Sequence, residues 1–454
     1  MALGTPTHFK ISVRELVEQT ERSGDINFRF SARSSALAGI RGHQRVQKSR
    51  GDDYVAEKRV ADLVTSHDLC LEVSGRVDGY FPTQLPMLVE EIKTLRADPG
   101  LIPESLQRLH WGQVKVYAYL LGRDHELKLS DPVVVRLCYL QLDDDAESLL
   151  TQTLTMRELG DYYQLLVTQQ ITFLARLAGW QARRDKSIEQ LAFPYSEYRE
   201  GQRDMAVSVY RAMQSSGQLV LQAPTGIGKT MGVLYPAIKG LPTGKLEKLF
   251  FLSAKTSGQA LAAGAVADMR QQGLQLRDIT LTAKNKICFT PGAPCDAEHC
   301  QYAVGYYDKL GKVMDEVLLE DQALTREVIE AKARVHQMCP FELELDLSLT
   351  ADVVICDYNY VFDPAVYLRR YFDGPNQHYG LLIDEAHNLV DRGREMFSAE
   401  IKKNAYLDLR RQLPVELPLM ARSLAAVNAQ FLALLKIDKP GFAQAGYRVI
   451  PELP

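Results

Sequence analysis

The apolar run Leu219-Val220-Leu221-Gln222 passes straight into Ala223-Pro224-Thr225-Gly226-Ile227-Gly228-Lys229-Thr230, and no other junction constrains the fold of this chain as strongly. Glycines there let successive backbone N–H groups curl around phosphate, Lys229 reaches the distal phosphates, and Thr230 offers a hydroxyl to magnesium. Such a loop works between a strand and a helix, so a strand is predicted over 219–222 and a helix after the loop. Ala223 stands where the general P-loop pattern has its first glycine. The runs KLFFLSAKT, ADVVICDYNYV and YGLLIDEAHNL repeat the rhythm, each a short apolar stretch entering a loop or helix. This predicts an α/β fold with a parallel sheet and ligands at the strand carboxyl ends.

The last of these runs ends in Asp384-Glu385-Ala386-His387. Asp384 is placed to hold magnesium, Glu385 to polarise an attacking water, and His387 to link the γ-phosphate site to a nucleic-acid side. Together with Thr225, Gly226, Gly228, Lys229 and Thr230, they form the expected ATP and magnesium site. Seven cysteines, an odd number, argue against a disulfide framework. Four fall as Cys288-x6-Cys295-x4-Cys300, with Cys339 after 38 intervening residues. Four thiolates accept a [4Fe-4S] cluster or zinc. The absence of close Cys-x-x-Cys knuckles favours iron, while His299 and His336 leave a mixed Cys/His zinc site open. Cys70, Cys138 and Cys356 sit in apolar strand-like runs and read as core.

The order of P-loop, Phe251–Gln259, four-cysteine insertion, Cys339-Pro340-Phe341, ADVVICDYNYVFDP and DEAH resembles the iron-sulfur DNA helicases of the XPD/DinG family, over about residues 195 to 400. The Ala223 form of the loop is similar to that of superfamily 2 helicases. The resemblance implies a RecA-like motor domain at 195–280 and 350–400. It implies a [4Fe-4S] domain at 281–349 ligated by Cys288, Cys295, Cys300 and Cys339, and 5′-to-3′ movement on single-stranded DNA. Gln202 is then the adenine contact, and Phe251–Gln259 grips the DNA backbone through hydroxyl and amide groups. Helicases of this type need a second RecA-like domain, and no matching Gln-x-x-Gly-Arg-like motif follows Glu385. The segment from about Leu417 to Leu435 matches the start of the family's arch domain (401–454), so the chain reads as truncated before the second motor domain.

Upstream, residues 54–96 alternate in strand fashion, followed by helix-period LQRLHWGQVKVYAYLLG, the strand-like VVVRLCYLQL and a helical stretch from Met156 to about Gln181. Arg183–Ser187 reads as part of a linker (183–194). Asp78 closes LEVSGRVDGY, and twelve residues separate it from Glu91-Ile92-Lys93. Residues i and i+2 of a strand share a face, so Glu91 and Lys93 point together and Glu90 points away. Asp78 and Glu91 can hold Mg2+ or Mn2+ while Lys93 orients water against a scissile phosphate. The set resembles a PD-(D/E)XK nuclease of the RecB type over about residues 35 to 150, within a front domain at 1–182. Two further features agree: His43 in Gly39-x3-His43 as a metal ligand, and Gln113-x3-Tyr117 on one helix face.

Composition limits the alternatives. Formal net charge is −4, so DNA contact must come from local patches such as the basic cluster Arg29, Arg33, Arg41, Arg45, Lys48, Arg50, Lys58 and Arg59. No signal-peptide pattern and no apolar run of about 20 residues occurs, which predicts a cytoplasmic protein. The leading expectation is ATP-driven DNA unwinding with an attached nuclease. The rivals are a non-motor DNA-binding module, with ATP as a switch and the cluster as a structural or redox element, and a nuclease whose P-loop region only positions substrate.

Overall fold

The structure is a computed structural model that describes residues 7–27, 36–66, 69–96, 98–224, 226–319, 323–373, 378–399, 402–413 and 417–437. Two compact units are present: residues 1–358 with 368–386, and residues 359–367 with 387–454. The first holds two sheets.

The front sheet is built from β1 (Thr7–Ser12), β2 (Val55–Ser66), β3 (Leu69–Phe81), β4 (Met87–Leu95), β5 (Pro132–Gln141) and β6 (Glu147–Thr155), with path β1-β3-β4-β5-β6 and β2 paired to β3. The long strand β3 changes partners along its length. Its first half lies parallel to β1, and its last residues pair antiparallel with β4, Gly79 opposite Glu90. Asp78 therefore comes level with the Glu91 end of β4. Helices α1 (Val13–Glu21), α2 (Ala36–Ser49), α3 (Glu104–Asp124) and α4 (Met156–Gln190) complete this domain. Ser12 and Glu15 form a capping box that starts α1, and Thr155 and Glu158 do the same for α4. Val13, Leu16 and Val17 of α1 join Val73, Val114 and Leu121 in a shared core.

α4 overturns the expected linker. Residues 183–190 continue the helix, and Arg184 is buried. Asp352, just before the motor strand β9 (Val353–Cys356), accepts from Arg184 Nη1 at 2.8 Å, Trp180 Nε1 at 3.1 Å and the Arg277 backbone N–H at 3.0 Å. The Arg277 guanidinium lies 3.6 Å from the Trp180 ring centroid. Ile188 and Leu191 enter the motor core beside Leu234 and Leu249. The polar run has a linker's composition, but Arg184 pairs with Asp352 across the fold as well as with Asp185 beside it.

The second sheet is parallel, in the order β10 (Tyr379–Ile383), β7 (Lys248–Leu252), β9, β8 (Asp278–Thr280). Around it lie α5 (Gln202–Gln214), α6 (Lys229–Lys239) and α7 (Thr256–Gln271). The predicted strand over 219–222 is a correction: these residues belong to no strand, and Val220 is 95% exposed. Strand geometry needs a ladder partner, and among the described residues none pairs with this run. Between β8 and β9 the chain forms α8 (Lys284–Ile287), α9 (Tyr306–Leu319), α10 (Arg326–His336) and α11 (Pro340–Leu347). The short helix α13 (Arg369–Phe372) precedes β10.

The second unit contains α12 (Asn359–Phe362), α14 (Leu389–Met396), α15 (Lys403–Gln412) and α16 (Pro418–Ile437). Arg392 donates to Asn359 at 3.2 Å, and Tyr406 meets Phe431 with ring centroids 6.1 Å apart. No helix of the described residues is long and apolar enough to cross a membrane.

Candidate functional site

Three groups of residues singled out in the sequence come together, each at a different place in the first unit.

The candidate nucleotide site lies at the carboxyl ends of β7 and β10. Gly226 (φ +89°) and Gly228 (φ +80°) hold left-handed backbone, which permits the tight turn into α6. Thr230 lies in the first turn of that helix, and Thr225 falls outside the described residues. The Lys229 Nζ lies 3.6 Å from Glu385 Oε1 and 3.5 Å from the Ala223 carbonyl oxygen. Ser253 Oγ donates to Asp384 Oδ2 at 3.5 Å, and Tyr358 donates to the Asp384 and Glu385 carbonyls. Glu385 itself adopts φ +49°. Partial burial, followed by the neighbouring Glu385 charge, raises the Asp384 carboxyl, against the pull of Lys229. A divalent ion beside it would reverse that balance. Gly258, on the first turn of α7, comes so close that a Cβ there would stand 2.1 Å from Ser253 Oγ and 3.1 Å from Asp384 Oδ2.

Gln202 differs from expectation. It is 2% exposed, its Nε2 donates to the Gly228 carbonyl at 3.0 Å, and its Oε1 accepts from the Arg199 N–H at 3.0 Å. The Nε2 end of the amide therefore braces the P-loop while the Oε1 end is tied to the Arg199 backbone, and the Arg199 side chain adds a bond to the Gly226 carbonyl. The bracing role of Arg199 had no signal in the sequence. His387 lies in the second compact unit.

Cys288, Cys295, Cys300 and Cys339 line one cavity of about 400 Å³, part of it open to solvent. Thr290 Oγ1 lies 3.2 Å from Cys300 Sγ, and Lys284 hydrogen-bonds Cys295, a contact that raises the lysine. Burial pushes the Cys339 thiol up to about 11. Zn–S bonds of about 2.3 Å place tetrahedral sulfurs about 3.8 Å apart. Among the described residues no three of these sulfurs lie within 4.8 Å of one another. The set is spread wider than a single zinc ion needs. His299 is turned to Asp296, Nδ1 to Oδ1 2.7 Å, and His336 to Glu316 at 3.1 Å. The other three cysteines are buried, as expected.

In the front domain, β4 presents Glu91 and Lys93 on one face. Lys93 Nζ donates to Glu91 Oε1 at 2.7 Å and to Gln113 Oε1 on α3 at 2.8 Å. Asp78 Oδ2 accepts the Ile92 N–H at 2.7 Å, and its Oδ1 lies 3.3 Å from His43 Nδ1 on α2. Burial lowers the His43 imidazole, but Asp78 outweighs it and the net direction is upward. Glu91 is 5% exposed, and among the described residues its Oε2 has no hydrogen-bond partner. Burial pushes this carboxyl up to about 7, with Lys93 opposing and Asp78 reinforcing. Among the described residues, His43, Asp78 and Glu91 do not all close to within 4.8 Å of one another. The Tyr117 ring packs over Gly75, where any Cβ would stand 2.7 Å from it. Glu90, fully buried on the opposite face, binds Arg50, Arg136 and Tyr54. Arg50 thus leaves the basic patch for the core, and Arg29 and Arg33 lie outside the described residues.

Residues 270–406 match the DEAD_2 family model, a span that takes in the four cysteines and Asp384-Glu385. The general transcription and DNA repair factor IIH helicase subunit XPD of Dictyostelium discoideum is 23% identical over 278 residues, covering 54% of this chain and 34% of that protein. A Methanocaldococcus jannaschii protein named "Probable ATP-dependent helicase" is 30% identical over 110 residues, 24% of this chain and 16% of that protein. A solved structure titled XPD helicase overlaps 52% of this chain and 40% of its own, at 18% identity and a TM-score of 0.36. The chain thus spans about a third of the length of the XPD subunit it matches. It carries a DEAD_2 domain and is a distant homologue of the XPD-like helicases of superfamily 2.

Proposed function

We propose that this chain supplies the ATP site and a [4Fe-4S] domain of a DNA helicase, joined to a metal-dependent deoxyribonuclease domain. The observation that carries the motor reading is the convergence of Lys229, Glu385 and Asp384 at the carboxyl ends of a parallel sheet, in a chain whose DEAD_2 match includes both carboxylates.

In this reading Lys229 leaves Glu385 for the β- and γ-phosphates. Glu385 is then free to orient the attacking water, while Thr230 and Asp384 hold magnesium. Magnesium held by Thr230 and Asp384 would supply charge neutralisation at the phosphates. Gln202 and Arg199 fix the loop carbonyls, so that the N–H groups of the loop face the phosphates. The four thiols suit a cluster better than one zinc ion on the spread of their sulfurs, and a cluster there would fasten the insertion between β8 and β9. Strand separation, its 5′-to-3′ sense and single-stranded or forked DNA as partner belong to the same proposal. They require a second motor domain from outside these residues.

The nuclease reading rests on Glu91. A buried carboxylate oxygen with no partner, facing Asp78 and tied to a lysine, is costly to keep unless a cation takes it up. Asp78, Glu91 and His43 would hold Mg2+ or Mn2+, an ion that would activate water and stabilise charge on the scissile phosphate. Lys93, held by Gln113, would orient that water.

Cleavage of labelled single-stranded and duplex DNA with magnesium or manganese tests this, comparing wild type, Glu91→Ala and Lys229→Ala. Cutting lost in Glu91→Ala and kept in Lys229→Ala is expected. No cutting by wild type on any substrate would reduce the front domain to a DNA-binding adaptor. With a second RecA-like motor domain supplied, ATP turnover stimulated by single-stranded DNA and abolished by Lys229→Ala is expected. Turnover indifferent to DNA would leave ATP as a switch.

A further inference from the structure

The four-cysteine cavity has a wall that does not come from the insertion. Ile26, in the front domain, lines it together with the cysteines and is 1% exposed. Ile26 follows closely on α1, whose apolar residues belong to the front-domain core.

The segment that delivers Ile26 is tied down residue by residue. Arg22 Nη2 donates to the Tyr307 hydroxyl at 2.6 Å, and its guanidinium lies 3.9 Å from that ring's centroid. Gly24 donates its N–H to Asp308 Oδ1 at 2.9 Å and accepts the Tyr307 N–H at 3.0 Å. Asp25 Oδ1 accepts the Gly305 N–H at 2.6 Å, and the Ile26 N–H donates to the Ala303 carbonyl at 3.0 Å. On its other side α3 contributes Arg108, which donates to Ser23 Oγ at 3.3 Å. Gly24 has φ +80°, a backbone state that favours glycine and lets the chain turn toward the cavity. Main-chain bonds make this contact specific in register, and Ile26 is the one apolar side chain it places against the thiols.

We infer that residues Arg22–Ile26 form a strap by which the front domain completes the cluster cavity, with Ile26 as the side chain that excludes water from one side of the bound cluster. The inference rests on the cluster reading of the four cysteines. The apolar shell around a metal centre sets solvent access to it, and outer-shell groups around such centres commonly matter by about tenfold when lost, the scale adopted for this wall. Cluster retention is therefore a property of two domains together, and the strap loosens when the cluster is lost.

The test uses the 454-residue chain, purified without air and reconstituted with iron and sulfide. The decay of visible thiolate-to-iron absorption and of bound iron is followed after exposure to air. Ile26→Ala is expected to lose the cluster about tenfold faster than wild type, and Arg22→Ala faster by a smaller factor. Ile26→Val, which keeps most of the side chain, is expected to retain it. Leu165→Ala, on an exposed face of α4, serves as the neutral control. Hydrogen exchange at the Ile26 amide supplies a readout that does not depend on any variant: slow in the loaded chain, and faster by about an order of magnitude once a chelator has removed iron. Equal decay in wild type and Ile26→Ala, or exchange at Ile26 unchanged by iron removal, would overturn the strap and leave the cluster standing. A wild-type chain that binds zinc or no metal would overturn both.

Discussion

Glu91→Gln offers the sharpest single test of the front-domain site. The unfolded carboxyl ionises near its ordinary 4.5, whereas the folded one is held up to about 7, first by burial. Below the lower value both states are protonated and the group contributes nothing. Between the two, the unfolded chain releases the proton while the folded chain keeps it, so stability falls as pH rises and levels off above about 7. Each tenfold step in the proton equilibrium is worth about 1.4 kcal/mol. Integrated from about pH 5 to about pH 8, wild type loses about 2.5 kcal/mol that Glu91→Gln does not lose. For a domain of about 190 residues that is about 5–10 °C in Tm. The constant cost of placing an amide beside Lys93 cancels, because only the change with pH is compared. Differential scanning calorimetry of both chains at the two pH values reads it directly. Millimolar manganese should narrow the gap at the higher pH by binding the ionised wild-type site alone. Parallel Tm-against-pH curves for wild type and variant would refute the argument that Glu91 is a buried carboxyl waiting for a cation.

Other outcomes follow from the same coordinates. Asp352→Ala removes the buried one of the two carboxylates on Arg184, leaving only Asp185, and orphans the Trp180 N–H, so a loss of about 3 kcal/mol is expected in urea unfolding, with Asp352→Asn less harmful. Gly258→Ala drives a methyl into Ser253 and toward Asp384, and should weaken magnesium-dependent binding of a fluorescent ATP analogue about tenfold or more, one such step being about 1.4 kcal/mol. Gln202→Ala removes a brace from Gly228 and should weaken ATP and ADP alike, whereas an adenine-reading role would show as lost preference for ATP over GTP in competition binding. Cys300→Ser should abolish iron retention after reconstitution, with the front-domain calorimetric transition still present.

The local chemistry of this protein was legible in its sequence because each motif is short and carries its own geometry. Gly226 and Gly228 announce a turn that other residues resist, and a Glu-x-Lys pair on a strand has to share a face. Burial of Glu90 on the opposite face follows from the same two-residue period. Distant relations were another matter. Arg183–Ser187 reads as a linker by composition, and only the fold shows α4 running through it to Asp352 and the core around Ile188. Leu219–Gln222 has the composition of a strand, but a strand exists only where a neighbour offers hydrogen bonds, and composition does not count neighbours. Gln202 and Arg199 gave no sign that they hold the P-loop carbonyls, since that depends on how α5 packs beneath α6. The Ile26 wall was invisible for the same reason. A hydrophobic side chain records in sequence only that it prefers burial, and the tertiary fold alone decided that this one lines a cavity with Cys288, Cys295, Cys300 and Cys339, far along the chain.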